Sequence, residues 1–238
     1  AAYLMGIPVI HLHGGEITLG AIDDGLRNAI TQLSSLHFTS TDYYRDRIIS
    51  MGMNSLSVWN VGAFGLEGLL EEKIPLEQLE KDLDLSLDQP TFLVTIHSET
   101  RDLTALDHVA RVLGALEGYD AQLIFTGVNS DPGGRTVNAA LEHFKSQDPK
   151  KRYLFSSLGQ RRYLSLMSHV SLVLGNPSSG IIEAPSLGVP TVNLGQRQAG
   201  RIKAPSVIDC DFDENQVREA ISKALSSDFL TRVYSKKN

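Results

Sequence analysis

The strongest constraint on this chain is the run at residues 91–97, TFLVTIH, in which apolar and β-branched residues fall on both faces rather than on every second position. A strand of that kind needs cover on both sides, which a parallel sheet between two helix layers provides. The pattern returns at 121–127 (AQLIFTG), 153–157 (YLFSS), 171–175 (SLVLG) and 190–195 (PTVNLG). Between the runs lie helical periods, with Leu103, Leu106, Val109, Val112 and Leu113 in 103–116, and a further helix through 136–146. The last helix is predicted to open at Asp213, with Gln216 three residues on at capping-box spacing. It would place Val217, Ile221, Ala224 and Leu225 on one face. This alternation predicts an α/β, doubly wound fold.

The first third carries fewer strands. Residues 7–12 (IPVIHL) read as a strand ending in the turn His13-Gly14-Gly15, and 24–35 as a helix on Leu26, Ala29, Ile30 and Leu33. A strand at 36–41, a helix that stops at Gly52 and a strand at 57–62 follow. The acidic stretch Leu66–Leu87 reads as short amphipathic helices joining two halves. The expected organisation is a first unit at 1–75, a connector at 76–90 and a second unit at 91–238. Too few strands, an abrupt apolar start and no initiating Met together predict that the N-terminal part is missing.

Charge and composition exclude several classes. Lys plus Arg total 22 against 28 for Asp plus Glu, so 22 − 28 = −6, without the basic surplus that binding nucleic acid requires. No run approaches the ~20 apolar residues of a membrane span, and the opening residues have no basic region of a signal peptide. A single Cys, Cys210, forbids an intrachain disulfide and a multi-Cys zinc site, and fits a reducing cytoplasmic setting. His11 and His13 raise metal binding, but no further ligand spacing completes a metal motif. Neither G-x-G-x-x-G nor a Walker loop is present, so no redox cofactor is expected.

Ligands of open parallel sheets bind beyond the carboxyl ends of the strands, so the residues that follow each strand are the candidates. The first cluster is His11, His13, Gly14, Gly15 and Glu16, with Asp23 and Asp24 at the next helix start. It reads either as a tight turn with an Asp cap or as a site with a carboxylate base. His97 ends the most apolar strand, and the turn Thr126–Arg135, with Asn129, follows another. The segment Gly175–Glu183 runs from strand through a small-residue turn into a helix, presenting N–H groups and the Ser178 and Ser179 hydroxyls to an anion. Glu183, one turn in, is placed to accept from hydroxyls. Arg197 and Arg201 lie in a Gly-containing loop beyond the next strand, a candidate phosphate clamp.

Two blocks, IPVIHLHGGEITLGAIDDGLRNAIT and GNPSSGIIEAPSLGVPTVNLGQRQAGR, resemble the hydrolysing UDP-N-acetylglucosamine 2-epimerases of sialic acid-type nonulosonate biosynthesis. The likeness is collinear from residue 1 to near the C-terminus. It implies two Rossmann-like domains of glycosyltransferase-B type, the N-terminal one incomplete, around a cleft for a UDP-sugar. It implies loss of the C2 proton, elimination of UDP through a glycal, and addition of water to give N-acetylmannosamine. Carried over by position, His97, Asn129, Ser178, Ser179, Glu183 and Arg197 match nucleotide-binding positions, Glu183 for ribose and Ser178–Ser179 with Arg197 for diphosphate. His13, Glu16 and Asp23 are the catalytic candidates; some members carry Glu where His13 stands, which leaves the base to His13 or Glu16. Pro177 replaces a common Ser. The resemblance further implies no cofactor, a homo-oligomer, and a missing N-terminal segment that would supply an Arg-bearing loop and an Asp–Arg pair. The alternatives are the non-hydrolysing branch, which keeps the sugar on UDP, and a UDP-binding fragment without turnover.

Overall fold

The computed structural model describes residues 1–19, 22–69, 71–97, 105–127 and 134–235. Asn129 and the positions 98–104 lie outside the described residues. The first unit is a three-stranded parallel sheet of β1 (Ile10–Leu12), β2 (Leu36–Thr39) and β3 (Val58–Asn60), in that order. Helices α1 (Asp23–Leu33) and α2 (Asp42–Ser50) join them. β1 is shorter than the expected 7–12 because Ile7 turns back to the Ala2 carbonyl and Pro8 has no N–H for a ladder. His11, His37 and Val58 stand in register and buried on one face of the sheet, while Ile10, Leu12 and Trp59 stand exposed on the other.

A 3-10 turn at Phe64–Leu69 and helix α3 (Leu76–Leu83) lead to the second unit. Its strands are β4 (Thr91–Thr95), β5 (Gln122–Thr126), β6 (Arg152–Phe155), β7 (Leu172–Gly175), β8 (Thr191–Leu194) and β9 (Val207–Cys210). Helices α4 (Ala105–Leu116), α5 (Gly134–Gln147), α6 (Gly159–Met167), α7 (Ser179–Leu187), α8 (Glu214–Ala224) and α9 (Ser227–Ser235) complete it. All neighbouring strands are parallel, in the order β6-β5-β4-β7-β8-β9. Read as the first to sixth strands of this sheet, that is 3-2-1-4-5-6, the dinucleotide-fold order, with its reversal between β4 and β7.

The two-faced strands divide the core. Phe92, Val94 and Ile96 point into a cluster with Val109, Val112, Leu141, Val217 and Ile221. Leu93, Ile124 and Val173 point into the other, with Leu79, Leu166 and Ala184. Each fully buried large side chain of this kind contributes roughly 2 kcal/mol through lost apolar exposure. The cap at α8 forms as its spacing predicts, with the Asp213 carboxylate accepting from the Gln216 N–H at 3.0 Å. Two features depart from expectation. β9 is an additional edge strand, and a further short helix, α9, follows the helix that opens after Asp213.

Candidate functional site

The site grows from the crevice where the sheet order reverses. At the end of β7, Gly175 adopts φ +134°, and a Cβ there would run into the Thr95 carbonyl, so only glycine lets β4 and β7 pair to their tips. The next residue, Asn176, is fully buried and bonds twice to the His97 backbone. Its Oδ1 accepts from the His97 N–H at 2.8 Å, and its Nδ2 donates to the His97 carbonyl at 2.9 Å. Gln198 Nε2 in turn donates to the Asn176 carbonyl at 2.9 Å. His97 and the turn Pro177–Ser179 are thereby held side by side.

That turn starts α7 with Ser178 as N-cap, and no side chain caps the helix. The Gly180 and Ile181 N–H groups turn back onto the Pro177 and Ser178 carbonyls at 3.3 and 2.9 Å, so what the turn presents to a ligand is the positive end of the helix dipole. The Ser179 hydroxyl pairs with the Tyr163 hydroxyl at 2.7 Å, and burial pushes the Tyr163 phenol above its ordinary value, keeping it protonated. On one side of the turn lies a cavity of about 380 Å³, walled by Thr95, His97, Thr126, Ser156, Tyr163 and Ser179. On the other lies a cavity of about 520 Å³, to which Ser178, Ile182 and Arg201 contribute from the second unit and His11, His13, Glu16, Asp23 and Arg27 from the first. Both fall in the size range of small-molecule sites.

Glu16 is the most engaged group of the larger cavity. Its Oε1 accepts from His13 Nδ1 and from the Ser40 hydroxyl, each at 2.9 Å, and its Oε2 meets Arg201 Nη2 at 2.9 Å. Burial alone would raise its carboxyl, but the His13 bond, Arg201 and Ser40 outweigh it and hold Glu16 below the ordinary range. The loop beneath it is tight. A Cβ on Gly15, which has φ +78°, would lie 2.5 Å from the Tyr44 carbonyl oxygen. Arg47 and Arg27 donate to the Gly15 and Glu16 carbonyls at 2.9 and 3.2 Å. The same loop carries contacts between the units, with Leu19 N–H donating to the Ala199 carbonyl and Ile202 N–H to the Tyr44 hydroxyl.

Two adjacent carboxylates behave differently. Asp24 accepts from the Thr18 N–H at 2.9 Å and from Asn28 at 3.4 Å, and lies 3.8 Å from Arg27. Asp23 is exposed on the cavity wall and takes no hydrogen bond among the described residues. Neither caps α1, whose N-cap is Ile22. Arg27 donates to Thr18 Oγ1 at 2.9 Å and is close enough to Asp23, Asp24 and Glu16 to feel their charge.

Glu183, in the first turns of α7, is half-buried, and its Oε2 is buried with no hydrogen-bond partner. Burial raises its carboxyl, against the pull of Arg201 and His13. The 3-10 turn packs against it so closely that a Cβ on Gly65 would fall 2.5 Å from Glu183 Oε1. Arg197 sits half-buried in the loop after β8 and is not among the lining residues of either cavity; its neighbour Arg201 is. The structure therefore gathers His13, Glu16, Asp23 and Ser178 at one cavity and His97 and Ser179 at the other. Tyr163, Ser40 and Arg27 join the site although their types and spacing gave no signal, and Asn176 of the Gly175–Glu183 segment holds the turn in place. Among the described residues no group of three or more His, Cys, Asp or Glu is placed to hold a metal, and no helix is long and apolar enough to cross a membrane.

Comparison with known proteins agrees with this architecture. The family model described as UDP-N-acetylglucosamine 2-epimerase matches residues 1–238. The chain is 36% identical over 229 residues to the Campylobacter jejuni GDP/UDP-N,N'-diacetylbacillosamine 2-epimerase (hydrolyzing), covering 95% of this chain and 59% of that protein. It is also 36% identical to the Escherichia coli polysialic acid biosynthesis protein P7, covering 100% of this chain and 61% of that protein. The chain thus spans about 60% of the length of these curated relatives. Among solved structures, UDP-GlcNAc 2-epimerase from Neisseria meningitidis bound to UDP-GlcNAc superposes with a TM-score of 0.77 at 19% identity, covering 99% of this chain and 66% of that one. The S. aureus MnaA-UDP co-structure gives a TM-score of 0.77 at 18% identity, with 99% and 63% covered. At such identities the likeness establishes the fold, which is α/β of glycosyltransferase-B type.

Proposed function

The chain belongs to the UDP-N-acetylglucosamine 2-epimerase family, and on that premise we propose that it forms the cleft of a hydrolysing sugar-nucleotide 2-epimerase, converting UDP-N-acetylglucosamine to N-acetylmannosamine and UDP. The observation that carries this reading is the pair of cavities divided by the uncapped start of α7. In this pose the nucleoside occupies the smaller cavity and the sugar the larger, with the diphosphate across Pro177–Ser179. The positive end of the α7 dipole and the Ser178 and Ser179 hydroxyls bind the diphosphate, with Arg197 as the cation of the adjoining loop. Glu183, set behind this turn and lining neither cavity, is assigned to the ribose hydroxyls, and His97 and Asn129 complete the nucleotide contacts.

The chemistry follows from the charge pattern. The C2 proton of the sugar is weakly acidic, so its removal needs a positioned base and its loss must be coupled to departure of UDP. Asp23 is the carboxylate with free lone pairs on the cavity wall, whereas the lone pairs of Glu16 are taken by His13, Ser40 and Arg201. Asp23 takes the C2 proton, the C1–O bond breaks with its electron pair leaving on UDP, and a C1=C2 glycal forms. The helix dipole and donors at α7 stabilise the charge that grows on the leaving diphosphate. Water then adds its hydroxyl at C1, and a proton returns to C2 on the opposite face. Arg27 tunes this step through its closeness to Asp23.

Calorimetry with UDP and with GDP tests the nucleotide half of the reading. Proton NMR of reactions in deuterated water tests the chemistry, using UDP-N-acetylglucosamine and UDP-N,N'-diacetylbacillosamine side by side, the second because the C. jejuni relative is named for that sugar. Free N-acetylmannosamine deuterated at C2, together with UDP, is the expected outcome. Turnover of the diacetylated sugar alone keeps the mechanism and changes the substrate. An epimer still attached to UDP identifies the non-hydrolysing branch, and failure to bind any nucleoside diphosphate removes the reading's physical basis.

A further inference from the structure

His13 lies at the centre of the larger cavity, and two short bonds define the state of its ring. Nδ1 lies 2.9 Å from Glu16 Oε1, and the Phe64 backbone N–H donates to Nε2 at 3.1 Å. Glu16 is an ionised acceptor paired with Arg201, so the proton between it and the imidazole belongs to Nδ1. A backbone N–H can only donate, so Nε2 carries the lone pair. The ring is thus the neutral Nδ1–H tautomer with its single proton and its single in-plane lone pair both committed. To act as a base Nε2 would have to expel the Phe64 N–H, and to act as an acid Nδ1 would have to release Glu16.

What the ring joins is as informative. His13 itself holds a left-handed backbone, φ +59°, rare for a residue with a Cβ, which turns its side chain back onto Glu16. Its ring packs on Phe64 with centroids 5.5 Å apart. Phe64 opens the 3-10 turn whose Gly65 abuts Glu183 and whose Gly68 abuts Gln160 and Leu164 of α6. One imidazole therefore connects the Glu16–Arg201 pair to the backbone segment that fixes the position of Glu183.

We infer that His13 is a positioning residue of fixed tautomer, which aims the Glu16 carboxylate and anchors the Phe64–Gly65 backbone opposite Glu183, and that proton transfer to the sugar does not pass through its ring. The functional part of this inference rests on the epimerase reading; the tautomer does not. The charged or titratable groups that act on the ring are Glu16, Arg201 through it, His11 and Glu183.

The test has two readouts. Long-range proton–nitrogen correlation spectra of the wild-type protein labelled with 15N-histidine, with His13→Asn identifying the resonance, are expected to show the Nδ1–H pattern at neutral pH. An Nε2–H pattern, or the averaged pattern of a ring free to exchange, overturns the inference, and this readout needs no turnover. The second is the pH dependence of kcat in His13→Asn, whose side-chain amide can donate to Glu16 but cannot titrate. A loss of about tenfold or less, with both limbs of the profile unmoved, is expected. A loss of the ~10²–10⁴-fold that general catalysis contributes, with one limb abolished, overturns it. If no sugar nucleotide is turned over by the wild type, the epimerase reading fails, while the spectrum still decides the tautomer.

Discussion

Asn176 reads both backbone groups of His97 with one side chain, accepting its N–H at 2.8 Å and donating to its carbonyl at 2.9 Å, and so ties the tip of β4 to the turn that begins α7. This closes the sheet at the point where its order reverses. Asn176→Ala leaves two backbone groups without partners, at roughly 1–3 kcal/mol each. Urea denaturation should show a loss of about 2–6 kcal/mol, and calorimetry a weaker UDP affinity because the turn is no longer held beside His97. Asn176→Asp keeps the acceptor but sets a carboxylate oxygen against the His97 carbonyl, so it should be no better than alanine.

Gly65 offers the opposite case, a substitution that disturbs the site while sparing the fold. A Cβ there meets the end of the Glu183 side chain at 2.5 Å, and the backbone is not in the left-handed region. The carboxylate can swing aside, so Gly65→Ala should leave the melting temperature within about 2 °C of wild type, a shift of under ~1 kcal/mol. If Glu183 binds the ribose, the displacement should weaken UDP binding by about tenfold, or ~1.4 kcal/mol. Unchanged affinity, measured by calorimetry, would separate Glu183 from the nucleotide.

The second unit was legible because its strands are buried on both faces, so the apolar runs at 91–97, 121–127 and 171–175 announce a covered parallel sheet. β9 was not, because its four residues, Val207–Cys210, are only partly buried at an edge and are reached from β8 by a loop with no helix. α9 went unread because the apolar stripe of Val217, Ile221, Ala224 and Leu225 ends with α8. At the site, sequence patterns located the small-residue turn after β7 and the HGGE segment, but not the division of labour inside them. His13 owes its state to Phe64, 51 residues away, and Arg201 owes its role to Glu16. Only the tertiary packing decides that Arg201 rather than Arg197 reaches the larger cavity.

Asp23 and Asp24 provide a direct comparison between neighbours. Asp24 receives the Thr18 N–H and approaches Arg27, so Asp24→Ala should cost about 1–2 kcal/mol of stability through the unpaired donor. Asp23 has no such partner, and Asp23→Asn should change stability by less than ~0.5 kcal/mol, as surface substitutions usually do. In a turnover assay the order inverts. Asp23→Asn should lower kcat by about 10²–10⁴-fold, and wash-in of deuterium at C2 should vanish with it. Retained wash-in would remove Asp23 from the proton transfer.

Acid should weaken the protein through its buried histidines, His11 foremost. His11 is buried beside His37, its Nδ1 3.1 Å from the Thr31 hydroxyl, and that hydroxyl donates onward to the Arg27 carbonyl, so Nδ1 carries the proton. Burial, followed by His37, Arg27 and His13, pushes its pKa down to about 4. The folded state therefore keeps His11 neutral while the unfolded chain takes up a proton near pH 6.5. Stability is fully present above that value, falls as pH drops from about 6.5 to about 4, and levels off once both states are charged. The span corresponds to roughly 3 kcal/mol, and His37, lowered by burial, adds a slope of the same sign. Glu16, held below its ordinary range, adds its own loss only below about pH 5. His11→Asn can still donate to Thr31 without titrating, so urea titrations between pH 7 and pH 4 should show a flatter profile for this variant. A wild-type profile flat across that interval would mean that the His11 ring is charged in the folded protein, and that the Thr31 bond is not what holds it.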